Sequence, residues 1–223
     1  MKKGLLTTLS LIMTFLLIGA NVIQVNASTL EENTTKIKVY ESYVTIPYNS
    51  NEIYVEYESN EEEVRAIIRD KDTGEIIDIF GEVISDSKEL SSTRGYYKKT
   101  VYREKTVGPT TSRLYAVLDC YNYSSFRQIN GIDDTYWSEA SSGDWVLERD
   151  KSYGYVKDPS SSGAGTAATI SGTANIVITT TSNTSGAFSL ESLKGFGFTV
   201  EHSSGSTYYA RTPIEFDYTY SLY

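Results

Sequence analysis

Residues 168–181 read ATISGTANIVITTT. Small or branched apolar residues alternate there with polar ones, which is the period-two pattern of a β-strand with one buried and one wet face. The apolar side consists of Ala168, Ile170, Gly172, Ala174, Ile176 and Ile178. The polar side consists of Thr169, Ser171, Thr173, Asn175, Thr179 and Thr181, with Val177 as the exception. This stretch therefore predicts one long strand.

Similar alternation recurs along most of the sequence. Apolar runs at 64–69 and 75–80 flank the turn residues 70–74, in which Gly74 supplies the positive φ of a hairpin turn. A helix over 61–69 competes with the first of these runs, and we prefer the strand. About ten such strands with almost no helix predict an all-β antiparallel sandwich, jelly-roll or immunoglobulin-like, built as one domain or as two packed β layers or domains.

The first 27 residues have the pattern of a secretory signal. Lys2 and Lys3 precede an uncharged apolar run over 5–18, and Ala27 ends a short stretch of the kind that signal peptidase cleaves. The run is shorter than the roughly 20 apolar residues that a membrane-spanning helix needs. We expect a mature chain that is secreted without a stable membrane span, and the signal is typical of Gram-positive bacteria.

Composition divides the rest of the chain into two regions. Glutamate is concentrated in 28–90, and the polar stretch 85–92 is the predicted linker. Tyr, Ser and Thr dominate 91–223, and all 19 tyrosines of the protein follow the signal. We predict an acidic N-terminal β region over 28–90 and a β-sandwich domain over 91–223.

Charge and cysteine content exclude several classes of function. A net charge of −9 argues against binding to nucleic acid, which requires clustered Lys and Arg. Cys120 is the single cysteine, so no intramolecular disulfide forms, and its place on the apolar side of its strand predicts an inert buried thiol. We expect a monomer or a weak oligomer.

The sequence offers few residues suited to catalysis. His202 is the single histidine, which excludes a zinc site built on several imidazoles, and we expect it to cap a strand end. No nucleophile elbow or phosphate-binding glycine loop is present. We therefore predict a non-enzymatic protein with no cofactor and no metal, while a hydrolase that uses two carboxylates stays an open alternative.

Carboxylates and indoles are concentrated in 129–145, most of which we interpret as a loop. The candidate binding residues are Asp133, Asp134, Trp137, Glu139 and Trp145. Acids hydrogen-bond to sugar hydroxyls, indole faces stack on sugar rings, and aromatic loops on a rigid sheet make efficient contact surfaces. The predicted function is extracellular or cell-envelope interaction, with an unidentified partner or a glycan as the ligand.

The alternation over 168–181 also allows a second function. Its alternation of small apolar and hydroxylated residues resembles the membrane-inserting hairpins of β-pore-forming toxins of the aerolysin type. The resemblance covers this stretch alone. It implies a small pore-forming or antibacterial toxin with an insertion hairpin around 166–190, because about 9–11 residues per strand cross a bilayer. The lipid-facing residues would be Ala168, Ile170, Ala174, Ile176 and Ile178. An ordinary sandwich strand has the same alternation, and we prefer that interpretation.

Overall fold

Two antiparallel β-sheets pack face to face in the part of the chain that the computed structural model describes, residues 34–84 and 95–223. In chain order the strands are β1 (Thr35–Val39), β2 (Ser42–Ile46), β3 (Ile53–Ser59), β4 (Glu63–Asp70), β5 (Ile76–Val83), β6 (Gly95–Val107), β7 (Thr110–Tyr123), β8 (Phe126–Glu139), β9 (Trp145–Lys157), β10 (Ala167–Thr181), β11 (Thr199–Ser204) and β12 (Thr207–Ser221). A 3-10 helix (Gly186–Phe188) and a short helix α1 (Leu190–Gly195) separate β10 from β11.

The predicted all-β antiparallel sandwich is confirmed. Sheet A has the strand order β1-β2-β12-β10-β9, with β11 also paired to β12, and sheet B has the order β3-β4-β5-β6-β7-β8. Sheet B is thus a meander, whereas jelly rolls and immunoglobulin domains have Greek-key connections. The described residues, 34–84 and 95–223, belong to one compact unit, and strands from both sides of residue 90 share each sheet. The predicted signal and the predicted linker 85–92 lie outside the described residues.

The apolar sides of the alternating strands fill the space between the sheets. In β10 the core residues are Ala168, Ile170, Ala174, Ile176 and Ile178, and none is more than 3 % exposed. They face the apolar side of β7, to which Leu114, Leu118 and the buried Cys120 belong. Burial raises the pKa of the Cys120 thiol to about 12, which keeps it protonated and unreactive. The sequence-based predictions of this buried face and of the buried thiol are confirmed.

Polar groups also tie the two sheets together. Arg103 of β6 donates to both carboxylate oxygens of Asp78 at 2.9 and 2.6 Å, and to the backbone carbonyl of Asp217 in sheet A at 2.9 Å. The hydroxyl of Tyr218 in sheet A donates to the carbonyl of Leu114 in sheet B at 3.0 Å. Burial raises the pKa of Asp78, and the hydrogen bonds from Arg103 oppose that shift. These contacts fix β12, which carries part of the outward surface described below.

The hairpin predicted at 70–74 is present, and the competing helix over 61–69 is not formed. β4 and β5 pair over their length, and Gly74 has a φ of 72°. The Asp70 carboxylate accepts the backbone N–H groups of Asp72 and Thr73 at 2.9 and 2.8 Å. These bonds lower the pKa of Asp70, because they favour its ionised form. Asp70 therefore stabilises the turn.

The prediction of a loop over 129–144 is wrong for most of that stretch. Residues 126–139 form strand β8, which pairs with β7 along its length. The register between these strands shifts twice, between Val117 and Leu118 and between Asp119 and Cys120 of β7. Each extra residue at a bulge inverts the alternation of faces, so the strand has no continuous period-two pattern in its sequence.

The stretch after β10 also differs from the prediction. In the sequence, Phe188, Leu190, Phe196 and Phe198 share the parity of a strand, but most of this stretch forms the 3-10 helix and α1. Ser189 is the N-cap of α1, since its side-chain oxygen accepts the N–H of Ser192 at 3.3 Å. The segment 166–190 consequently contains one strand and not a hairpin. The strand that forms a hairpin with β10 is the preceding one, β9.

Candidate functional site

The acidic residues predicted as a binding site lie at the surface of β8. Asp133 and Asp134 are both exposed, and Asp133 forms an ion pair with Lys98 at 2.9 Å. Glu139 lies at the end of the strand, where its Oε1 accepts the backbone N–H of Leu147 at 3.1 Å. Two of the three acids therefore already contact another part of the protein.

Both tryptophans contribute to the packing between strands. Trp145 is 4 % exposed, and its Nε1 donates to the carbonyl of Ser141 at 3.2 Å. Trp137 is half-buried with its ring stacked on Phe216, the centroids being 5.0 Å apart, and its Nε1 donates to the carbonyl of Lys151 at 3.1 Å. The structure thus does not bring the indoles and the carboxylates together as one surface.

His202 lies at the turn between β11 and β12. Its Nε2 is 2.9 Å from the carbonyl oxygen of Gly205, and its ring edge contacts Tyr208 at 5.1 Å between centroids. This geometry agrees with the expected role at a strand end. Among residues 34–84 and 95–223, no group of three or more His, Cys, Asp or Glu side chains is arranged to hold a metal ion. No helix within these ranges has the length and apolar character needed to cross a membrane.

The outward face of sheet B carries a charged cluster whose members contact one another. Arg113 lies 2.5 Å from a carboxylate oxygen of Glu104 and 3.2 Å from one of Glu63. Arg65 reaches the other oxygen of Glu104 at 2.9 Å, and the hydroxyl of Tyr102 donates to Glu63 at 2.8 Å. Because each carboxylate already faces an arginine, we interpret the cluster as a stabilising network of the sheet.

A ladder of tyrosines continues this network across sheet B. The rings of Tyr102 and Tyr115 lie 5.1 Å apart, and those of Tyr115 and Tyr136 lie 4.9 Å apart and are stacked. The ring of Tyr102 lies across Gly81 of the neighbouring strand, where an added Cβ would lie 2.0 Å from the tyrosine Cζ. Only glycine leaves room for this ring, so the ladder too has a structural role.

The outward face of sheet A has a different chemistry, because it carries mainly hydroxyl groups. In one row across the sheet, Thr169 of β10 lies between Tyr155 of β9 and Thr219 of β12, and Thr219 is paired with Thr45 of β2. In the next row, Ser171 lies between Tyr153 and Asp217. We call this surface the Thr/Tyr face, and its members are Tyr43, Thr45, Tyr153, Tyr155, Thr169, Ser171, Asp217 and Thr219.

Cross-strand hydrogen bonds hold the polar side chains of the Thr/Tyr face in position. The hydroxyl oxygens of Thr169 and Thr219 are 3.1 Å apart, and the hydroxyl of Ser171 donates to the carboxylate of Asp217 at 3.2 Å. Thr169 and Ser171 are each 8 % exposed, whereas Asp217 is exposed. The polar groups that reach solvent are therefore backed by a second layer of hydroxyls, which restricts their rotation.

Two tyrosines stand beside these pairs on the edge strand β9. Tyr153 is 62 % exposed and Tyr155 is 52 % exposed. Residues two apart in a strand point to the same side and are about 7 Å apart. Within the described residues, neither ring packs against another aromatic ring. The face thus presents two uncovered rings next to ordered oxygen groups.

The hydroxylated side of β10 was predicted from the sequence, whereas the tyrosines beside it were not. A signal for them was present, since Lys151, Tyr153, Tyr155 and Lys157 alternate with smaller residues. Tyrosine is common in strands of this chain, so that signal alone does not separate a binding residue from a packing residue. Comparisons of the chain with protein-family models, with curated proteins and with solved structures found no match.

Proposed function

We propose that the protein is a secreted, non-enzymatic binding protein that holds a polysaccharide of the extracellular space or cell envelope on its Thr/Tyr face. The observation that carries this proposal is the pair of exposed rings, Tyr153 and Tyr155, beside the hydrogen-bonded pairs Ser171–Asp217 and Thr169–Thr219. The signal pattern in residues 1–27 supports a place of action outside the cell.

The chemistry of the face suits a sugar polymer. The C–H faces of sugar rings stack on aromatic rings, while sugar hydroxyls exchange hydrogen bonds with carboxylate and hydroxyl groups. Tyrosine contributes contact area with few rotatable bonds, so that little conformational entropy is lost on binding. The face crosses four strands of the sheet, from β9 through β10 and β12 to β2. A surface of this extent fits several units of a chain better than a single small molecule.

Replacing the exposed rings should weaken polysaccharide binding without unfolding the protein. We expect Tyr155→Ala to lower the affinity by about tenfold, which corresponds to about 1.4 kcal/mol, because it removes one stacking surface. The measurement is affinity electrophoresis of the mature chain, residues 28–223, in gels that contain neutral or acidic polysaccharides. Tyr54→Ala is the matched control, because Tyr54 is an exposed tyrosine on sheet B. Equal retardation of wild type and Tyr155→Ala on every polymer would contradict the proposal.

A second candidate function is membrane insertion by the hairpin β9–β10. The observation that favours it is strand length: these antiparallel neighbours contain 13 and 15 residues, more than the roughly 9–11 that cross a bilayer. One side of β10 is apolar and the other is hydroxylated. Insertion would require the apolar side to leave the core, where it is packed against sheet B.

Dye release from vesicles separates the two candidates. We expect the mature chain to release no dye from phosphatidylcholine–phosphatidylglycerol vesicles at micromolar concentration, because separating the sheets exposes the whole core. A known pore-forming peptide on the same vesicles is the positive control. Release that rises cooperatively with protein concentration would favour insertion over polysaccharide binding.

A further inference from the structure

A cleft adjoins the Thr/Tyr face where β9 bulges. Thr173 of β10 is paired with Lys151 and Asn175 with Glu148, so Arg149 and Asp150 together lie opposite a single residue. The extra residue is accommodated by a left-handed backbone at Arg149, whose φ is 55°. The resulting cleft has a volume of about 450 Å³, which lies in the range of ligand pockets.

The cleft and the Thr/Tyr face are parts of one surface. Lys151, Thr173 and Glu215 form the row that follows Tyr153, Ser171 and Asp217 across the same three strands, and they line the cleft. Along β9, Lys151 and Tyr155 are four residues apart on the same side of the strand, about 13 Å. A polymer that lies on the tyrosines therefore reaches the cleft within a few sugar units.

Two cations in the cleft have no acidic partner. Within residues 34–84 and 95–223, every arginine except Arg149 donates to a carboxylate or to a backbone carbonyl. Lys151 also forms no ion pair in this part of the chain. Both cations line the cleft together with one carboxylate, that of Glu215, which is not within ion-pair distance of either. Their N–H donors are available to a ligand.

We infer that the polysaccharide is acidic and that one carboxylated sugar unit binds in this cleft through Arg149 and Lys151. This inference rests on the proposed binding at the Thr/Tyr face and specifies the class of polymer. A guanidinium binds a carboxylate through two parallel N–H···O bonds, and the neighbouring ammonium adds a third donor. Thr173, Asn175 and Glu215 supply groups for the sugar hydroxyls. The Glu215 carboxylate disfavours a bare inorganic anion and favours a ligand that combines one acid group with several hydroxyl donors.

Polymers that differ in charge alone provide the test. The probes are polygalacturonate and alginate, each as the free carboxylate and as the methyl ester. We expect wild type to bind the carboxylate forms at least tenfold more tightly than the esters. Arg149→Asn should remove most of this preference, because it weakens binding of the carboxylate forms much more than binding of the esters. Asparagine is chosen because it tolerates the left-handed backbone, so that the bulge is retained. Lys157→Gln removes an exposed charge from the same strand outside the cleft and should keep the full preference.

The outcomes distinguish this inference from the function on which it rests. Equal binding of both forms by wild type, weakened by Tyr155→Ala, overturns the acidic-sugar inference and leaves polysaccharide binding in place. A preference for carboxylates that Arg149→Asn retains places the anion elsewhere and also overturns the inference. If wild type binds no form of either polymer and no polysaccharide in the gel series, both the acidic-sugar inference and the proposed polysaccharide binding are overturned. If Arg149→Asn loses the preference for carboxylates and Lys157→Gln keeps it, the result supports both the acidic-sugar inference and polysaccharide binding.

Discussion

Ile176→Asp should abolish the folded state. The Ile176 side chain is fully buried between the sheets, and an aspartate there would place a carboxylate among the apolar side chains of the core. Burial of an unpaired charge costs more than about 4 kcal/mol, a large part of the 5–15 kcal/mol by which domains are stable. We expect loss of the β-sheet circular dichroism signal and of the cooperative thermal transition.

Thr179→Asp is the matched control for this substitution. Thr179 lies on the same strand with its side chain exposed on the opposite face. Aspartate is a poor strand residue, but at an exposed position we expect a loss of at most about 1 kcal/mol. If Ile176→Asp instead folds as a monomer with the wild-type melting temperature, the apolar side of β10 is not core in solution. Membrane insertion would then become the better hypothesis.

Lys99→Met should destabilise the protein by about 3–5 kcal/mol, because it leaves a buried carboxylate without its partner. Lys99 contacts Glu82 in the interior, where the two side chains are 4 % and 3 % exposed, and it lies 3.4 Å from Glu41. Burial raises the pKa of Glu82, while the charge of Lys99 opposes that shift. Denaturant unfolding of wild type and variant measures the difference in the free energy of unfolding.

Two further variants show whether the pair is the cause. Lys99→Met combined with Glu82→Leu should recover most of the loss, because apolar side chains of similar volume replace a buried ion pair at little cost. Lys98→Met, one residue earlier on the outward side of β6, removes an exposed ion pair with Asp133 and should cost less than about 1 kcal/mol. Equal losses for Lys98→Met and Lys99→Met would contradict this account.

The loss caused by Lys99→Met should also depend on pH. Without the lysine, the pKa of Glu82 in the folded state rises further, so the folded variant takes up a proton more readily than the unfolded chain does. A raised folded-state pKa means that stability is greatest below the unfolded pKa, about 4.3, and falls as the pH rises through the folded value. The difference between variant and wild type should therefore be larger at pH 8 than at pH 5. A difference that is constant with pH would show that lost packing, and not the charge of Glu82, is responsible.

The relative orientation of the predicted site residues could not be predicted from the sequence. Asp134 and Trp137 lie three residues apart in the sequence, and the prediction placed them on one loop surface. In the structure the carboxylate is exposed on the outward side of β8, while the indole stacks on Phe216 of sheet A. From Asp134 to Trp137 the strand is regular, so positions three apart face opposite sides, and it is the pairing with β7 that makes this stretch a strand. That pairing has no signature within β8 itself.

The sequence by itself determined the features that depend on neighbouring residues. The alternation over 168–181 identified the buried side of β10, and the turn residues 70–74 located a hairpin, because strand periodicity and turn chemistry are local properties. Only the tertiary structure decided that Lys99 is buried while Lys98 is exposed, and that the tyrosines of β9 share the outward face of sheet A with Asp217 of β12. These facts follow from hydrogen bonding between strands that are distant in the sequence, and the free energy of such pairings depends on the whole sandwich rather than on any one segment.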